Sequence, residues 1–174
     1  RCEAFVTSGG TSTCPWTFEG KLLTYEEKTV RYPGHCAALR AFSDLGLLEL
    51  QPIPAARRPA CSHDVFNTLF APKITFPEDE DVVVLRVLCG GEDAKGHTVE
   101  AKLEVIDFHD RDTGLRAMER TTGFSAAIVA HLMACGRTPL GAVPLELAVD
   151  GAAFVAEWRR RGLPLTEQFN TVET

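Results

Sequence analysis

No run of apolar residues in this chain is long enough to cross a bilayer, and the opening Arg-Cys-Glu-Ala-Phe-Val has neither the basic start nor the apolar core of a secretory leader. No membrane partner is expected. The chain also lacks an initiating Met, the start expected of a processed or truncated product, which leaves room for further sequence before residue 1. There is no CxxC pair: the six cysteines, at 2, 14, 36, 61, 89 and 135, are scattered, several among apolar neighbours, and read as reduced thiols of a cytoplasmic protein. Cys61 and His63 have no second pair at structural or catalytic spacing and HExxH is absent, so no zinc site is expected. Positive charge is in deficit, with 18 Lys and Arg against 24 Asp and Glu and a net charge of -6, which excludes broad contact with a nucleic-acid backbone. No GxGxxG follows a strand, and Gly20-Lys21 lacks both the upstream glycine spacing and the Ser/Thr of a P-loop. The residues present carry no nucleotide fingerprint.

What is present is ordinary globular composition, 45% hydrophobic and 24% charged over 174 residues, enough for one domain, residues 1–174, with a substantial core. After a Gly/Ser/Thr loop at Ser8 to Thr13, Lys21 to Tyr32 alternates as a strand closed by Pro33-Gly34. Ala38, Leu39, Phe42 and Leu45 follow at helical spacing, with Gly46 placed to end the helix. A second helix is expected over about Ser62 to Phe70, with a Ser cap and a stop near Pro72, and the stretch from Pro52 to Pro59 is a connector. The strongest local signal is a hairpin. Asp81 to Cys89 is nearly continuous Val/Leu, Gly90-Gly91 and a polar loop follow, and in Thr98 to Phe108 the residues Val99, Ala101, Leu103 and Val105 alternate with Glu100, Lys102 and Glu104. A largely apolar helix over Thr122 to Cys135, a strand near Val143 to Val149, and a helix from Gly151 to Arg161 with Asp150 as N-cap and Gly162 as stop complete the pattern. The class is α+β: a mixed, largely antiparallel sheet with helices packed mainly on one face.

Several segments have the chemistry for a site. The loop Thr7-Ser8-Gly9-Gly10-Thr11-Ser12-Thr13 offers hydroxyls and backbone N–H groups to a ligand, although its composition alone favours a flexible loop. Arg31-Tyr32-Pro33-Gly34-His35 sets a guanidinium at a strand end and an imidazole at a helix start, suited to a carboxylate and a proton respectively; a surface ion pair and a helix-start His are the equally simple alternative. Arg120-Thr121-Thr122-Gly123-Phe124 opens the long helix, where free N–H groups could face an anion or where the threonines simply cap. Asp107, Asp110, Asp112 and Gly114 lack the remaining ligands of a calcium loop and read as a turn, and no metal is expected. Arg159-Arg160-Arg161 complements a helix C-terminus.

Three motifs in order, Glu3-Ala4-Phe5-Val6-Thr7-Ser8-Gly9-Gly10-Thr11-Ser12-Thr13, Lys28-Thr29-Val30-Arg31-Tyr32-Pro33-Gly34-His35, and Asp112-Thr113-Gly114 through Met118, Arg120, Thr121, Thr122, Gly123 and Phe124, resemble the saccharopine dehydrogenase family, with the likeness nearest to its lysine 6-dehydrogenase branch. The resemblance implies the C-terminal, substrate-binding and dimerisation domain, similar in fold to the catalytic domain of saccharopine reductase. It further implies a partner Rossmann domain, absent from this chain, that carries NAD or NADP, and a homodimer. The implied chemistry is oxidative deamination of an amine of lysine or saccharopine, in which the amine gives a hydride to the nicotinamide and the resulting imine is hydrolysed. Because a lysine amine has a reference pKa near ~10.4, a base or a desolvated pocket must first take its proton.

On that resemblance His35 is the candidate base and Arg31 the candidate grip on the substrate carboxylate. Tyr32, Ser8, Gly9, Gly10, Thr11, Ser12, Arg120 and Thr121 complete the candidate substrate-binding set. The competing class is a binding or dimerisation module without catalysis, which an adjoining GxGxxG strand–turn–helix would argue against.

Overall fold

The first strand, β1 (Glu3–Phe5), pairs antiparallel with β2 (Thr29–Arg31), and the register sets Glu3 opposite Arg31, Ala4 opposite Val30 and Phe5 opposite Thr29. The computed structural model describes residues 1–6, 10–53 and 60–172. It divides into two compact units, Arg1–Pro77 and Glu78–Thr174. The β1–β2 ladder is only three residues long, and this corrects the strand expected from Lys21 to Tyr32: among the described residues, 21–28 have no partner strand to complete their backbone hydrogen bonds. A short helix, α1 (Cys14–Thr17), lies between the two strands with Pro15 in its first turn.

Helix α2 (His35–Asp44) ends as its glycine requires. Gly46 has φ 71°, its N–H bonds to Ser43 O, and Leu47 N–H bonds to Phe42 O, the paired bonds that close a helix through a left-handed residue. Helix α3 (Ser62–Ile74) begins one residue after Cys61, which takes the cap position in extended conformation, so Ser62 is helical and does not cap. The helix also continues through Pro72, which sits in the last turn, where a missing N–H removes a single ladder bond. Phe42 of α2 meets Phe66 and Phe70 of α3 with ring centroids 5.1 and 5.9 Å away, and these three aromatics join the helices. Most of the connector from Pro52 to Pro59 lies outside the described residues.

The second unit is built on a three-stranded antiparallel sheet in the order β3-β4-β5, with β3 (Val82–Glu92), β4 (Thr98–Phe108) and β5 (Thr166–Val172). The hairpin holds at full length. Gly90 and Gly91 belong to β3 rather than to the loop, because the turn is made by Asp93, whose carboxylate accepts the N–H groups of Lys95 and His97. Hydrogen bonds from His97 and Lys95 N–H groups hold that carboxyl below its ordinary range. α4 (Ala117–Ala134) and α6 (Gly151–Arg160) cover the sheet face that carries Val105, which forms the core with Ile128, Leu132, Ala153, Trp158 and Leu163. Ile128 is 0% exposed, a burial worth about 1.5–3 kcal/mol. Asp150 caps α6 by accepting from Ala153 N–H at 2.7 Å, and Gly162, at φ 73°, terminates it.

All strand pairs among the described residues are antiparallel, in an α+β arrangement of two small sheets with six helices. The strand expected near Val143 to Val149 is instead a short helix, α5 (Leu145–Ala148). Pro144 opens it, accepting from Leu147 and Ala148 N–H, while β5 takes the place beside β4 that such a strand would need. On the opposite sheet face, Val82 stands across from Phe108 and Val84 across from Ile106, all four exposed.

Candidate functional site

Tyr32-Pro33-Gly34-His35 forms a turn closed by a bond from His35 N–H to Tyr32 O at 3.3 Å. Proline presets the second position, and Gly34 takes φ 92° and ψ -14°, the left-handed conformation that the third position of a type II turn requires. The turn delivers His35 as the first residue of α2 and leaves Arg31 at the end of β2. Arg31 and Tyr32 are exposed, and Arg31 Nη1 donates to Val30 O at 2.9 Å. Among the described residues Arg31 makes no ion pair. The imidazole of His35 is half-buried and stacks on Phe5 of β1, with ring centroids 5.9 Å apart and planes 24° from parallel.

Ser8 and Gly9 lie outside the described residues. Gly10, Thr11 and Ser12 run into α1: Thr11 O accepts Cys14 N–H at 3.1 Å, and Ser12 holds a positive φ of 48°. Glu27 presses its carboxylate against Gly10 so closely that a Cβ there would collide with it, and the same carboxylate accepts from Thr29 Oγ1 at 3.3 Å. One acidic side chain thus lies against Gly10 and against Thr29 of β2, two residues from Arg31. Sequence reasoning missed Glu27 and also Glu3, whose Oε1 accepts Gly34 N–H at 2.9 Å. No local pattern marks a partner 31 residues away.

In the second unit the arginine is differently placed. Arg120 is 12% exposed at its side chain and lies between two carboxylates, Nη1 at 2.7 Å from Asp110 Oδ2 and Nε at 3.2 Å from Asp107 Oδ2. The approach to Asp107 is an ion pair without hydrogen-bond alignment, and both Arg120 Nε and Asp107 Oδ2 are buried. Asp110 is held below the ordinary carboxylate range by the Thr113 hydroxyl, by backbone N–H groups and by the Arg120 charge. Asp107 and Asp110 therefore face a guanidinium, and among the described residues no group of three or more His, Cys, Asp or Glu could hold a metal ion. Thr121 Oγ1 donates to Ala117 O at 2.9 Å.

The helix opening expected at Arg120 to Phe124 is corrected, because α4 starts at Ala117. Asp81 accepts Ala117 and Met118 N–H at 2.7 and 2.9 Å, while Glu119 accepts Arg116 N–H at 2.8 Å. These two acidic side chains occupy the donors that an anion would need, and they leave Thr121 inside the helix. Burial pushes the Asp81 carboxyl up, but the N–H groups of Met118 and Ala117 outweigh it and hold it below its ordinary value. At the far end of α6, Glu157 pairs with Arg160 and Arg161, while Arg159 pairs with Glu167 of β5.

A family model, the saccharopine dehydrogenase C-terminal domain, matches residues 4–163. The chain belongs to this family. The matched region runs through both compact units, so the saccharopine dehydrogenase C-terminal domain includes the Arg31–His35 turn as well as the Arg120 carboxylate pair. Membership gives the chain an oxidoreductase context. Among the described residues no helix is long and apolar enough to cross a membrane.

Proposed function

We propose that this saccharopine dehydrogenase C-terminal domain is the substrate-binding part of an NAD(P)-dependent amino-acid dehydrogenase acting on an amine of lysine or saccharopine. The observation that carries the reading is the contrast between the two candidate arginines. Arg120 is already neutralised by Asp107 and Asp110, whereas Arg31 stands exposed, without an ion pair among the described residues, four residues before an imidazole stacked on Phe5. A planar guanidinium in that position binds an amino-acid carboxylate through two parallel hydrogen bonds. His35 then receives the proton that the substrate ammonium must lose before it can be oxidised. Tyr32 and the Gly10 to Ser12 loop line the amino acid; Thr121 and Arg120 support the fold of the second unit in this scheme.

The described residues do not fit a dinucleotide. Among them every strand pair is antiparallel and no glycine-rich strand–helix turn is present, and in this reading a Rossmann domain of the full-length chain would carry the nicotinamide. Within this domain the work is to hold the carboxylate and take the proton.

A second reading, a binding or dimerisation module without catalysis, draws on the exposed Val82, Val84, Ile106 and Phe108 face of the sheet. The two readings share a homodimer and separate on turnover. In the full-length protein, screened for NAD(P)H formation with lysine and with saccharopine, Arg31→Ala is expected to raise KM by roughly 10- to 100-fold, the loss of one charge-assisted carboxylate contact. An unchanged KM removes Arg31 from the site. No turnover with any amine despite cofactor binding favours the second reading.

A further inference from the structure

A helix normally begins with a side chain that accepts its first free N–H groups, and α2 has none of its own. Its N-cap is Gly34, which has no side chain, its first turn holds no acidic residue, and the position where a capping box places Glu or Gln is Ala37. The acceptor comes from β1 instead: Glu3 Oε1 takes the N–H of Gly34 at 2.9 Å. The β1–β2 register sets Glu3 directly across from Arg31, so the carboxylate reaches over the strand end onto the turn that follows.

Two residues along β1, on the same face, Phe5 supplies the ring against which His35 is stacked. Alternation along one short strand thus places a backbone clamp and an aromatic platform side by side. The clamp sets the Pro33–Gly34 turn from which the imidazole departs, and the platform sets the plane of the ring. Neither residue donates or accepts a proton with His35; both act on where the imidazole is.

We propose that Glu3 is a positioning residue for His35, acting through the Gly34 backbone with Phe5 as its companion at the ring. The proposal rests on the reading of His35 as the group that takes the substrate's proton, and its consequence is specific. The task of Glu3 is to accept a hydrogen bond, so an amide oxygen can replace the carboxylate and an alkyl group cannot.

The test uses the full-length protein. Glu3→Ala is expected to lower kcat for amine oxidation about tenfold while KM for the amino acid moves by less than about threefold, and Glu3→Gln is expected to restore kcat to within about threefold of the parent. In parallel, the His35 ring resonance, identified by its loss in His35→Gln, reports the ring current of Phe5 in histidine-labelled protein. It should shift in Glu3→Ala and in Phe5→Leu and keep its position in Glu3→Gln. Glu3→Leu carries both measurements if Glu3→Ala does not fold. Parental kcat and an unmoved resonance in Glu3→Ala overturn the proposal, and so does a Glu3→Gln variant as impaired as Glu3→Ala. If the resonance behaves as stated but no amine is turned over, the positioning stands and the dehydrogenase reading fails.

Discussion

Replacing Arg120 by Met tests whether its guanidinium belongs to the fold. The side chain is 12% exposed and faces Asp107, whose own side chain is 6% exposed. At 3.2 Å and an effective dielectric of about 20, the attraction between these two charges is roughly 5 kcal/mol, set against a desolvation cost of several kcal/mol per ion. Intact, the pair is close to neutral for stability. Removing only the cation leaves a buried carboxylate uncompensated, a change that costs about 3–5 kcal/mol. Because the contact lacks hydrogen-bond alignment and the Asp110 side chain, 26% exposed, can regain water, the lower figure of about 3 kcal/mol is expected. Urea unfolding at neutral pH measures it directly, and for a chain of this size the thermal midpoint should fall by roughly 6–12 °C. The double variant Arg120→Met/Asp107→Asn should be more stable than Arg120→Met alone by at least about 1 kcal/mol, since the orphaned charge is gone. A loss below about 1 kcal/mol for Arg120→Met, or strictly additive single effects, would refute the reasoning and return Arg120 to the list of groups free to bind a ligand.

Other consequences are open to equally direct measurement. On the proposed dehydrogenase reading, His35→Gln in the full-length protein should abolish the acidic limb of the kcat/KM profile, and an unaltered limb would exclude this imidazole as the proton acceptor. Asp81→Ala should cost about 1 kcal/mol near neutral pH, the worth of a helix cap. Because the folded-state value of Asp81 is depressed, its contribution is complete above the ordinary carboxylate value and is lost as pH falls through the folded one, so the difference from the parent in urea titrations should narrow below about pH 4. If the protein is the proposed homodimer and the exposed sheet face opposite Val82 is its contact, Phe108→Lys should halve the mass seen by light scattering; an unchanged mass would remove that face as the contact.

Signals that act within a few residues were readable from the chain. The period-two pattern of Val99, Ala101, Leu103 and Val105 identified β4 and its buried face, Asp150 marked the start of α6, and Gly46 and Gly162 marked helix ends because only glycine adopts their positive φ without strain. Long-range signals were not readable. The start of α4 depends on Asp81, 36 residues upstream of Ala117, and without that acceptor the apolar run at Thr122 was the earliest visible sign of a helix. β5 was invisible for a different reason: Thr166, Glu167, Gln168, Asn170 and Thr171 give no hydrophobic alternation, and the strand exists because β4 offers it a free edge. Within the candidate site, Arg31, Tyr32 and His35 stood out by residue type and by likeness to a family. The carboxylates near them, Glu3 on the Gly34 N–H and Glu27 on the Thr29 hydroxyl, look like any surface acid until the strands are paired.

The placement of Arg86 has a bearing on how this protein survives its own synthesis. From Val82 to Gly91 it is the only charged residue, and its guanidinium pairs with Glu104 across the ladder at 2.5 Å. β3 is also an outer strand of its sheet, with one row of backbone groups unmatched by β4. A Val/Leu segment of this kind, on an open edge, is the sort of template that recruits identical strands from other molecules. One arginine in the middle acts as a gatekeeper against such stacking, since each added copy would bring another positive charge into register. A substitution at Arg86 would thus tell first on soluble yield, before any effect on the site or the core.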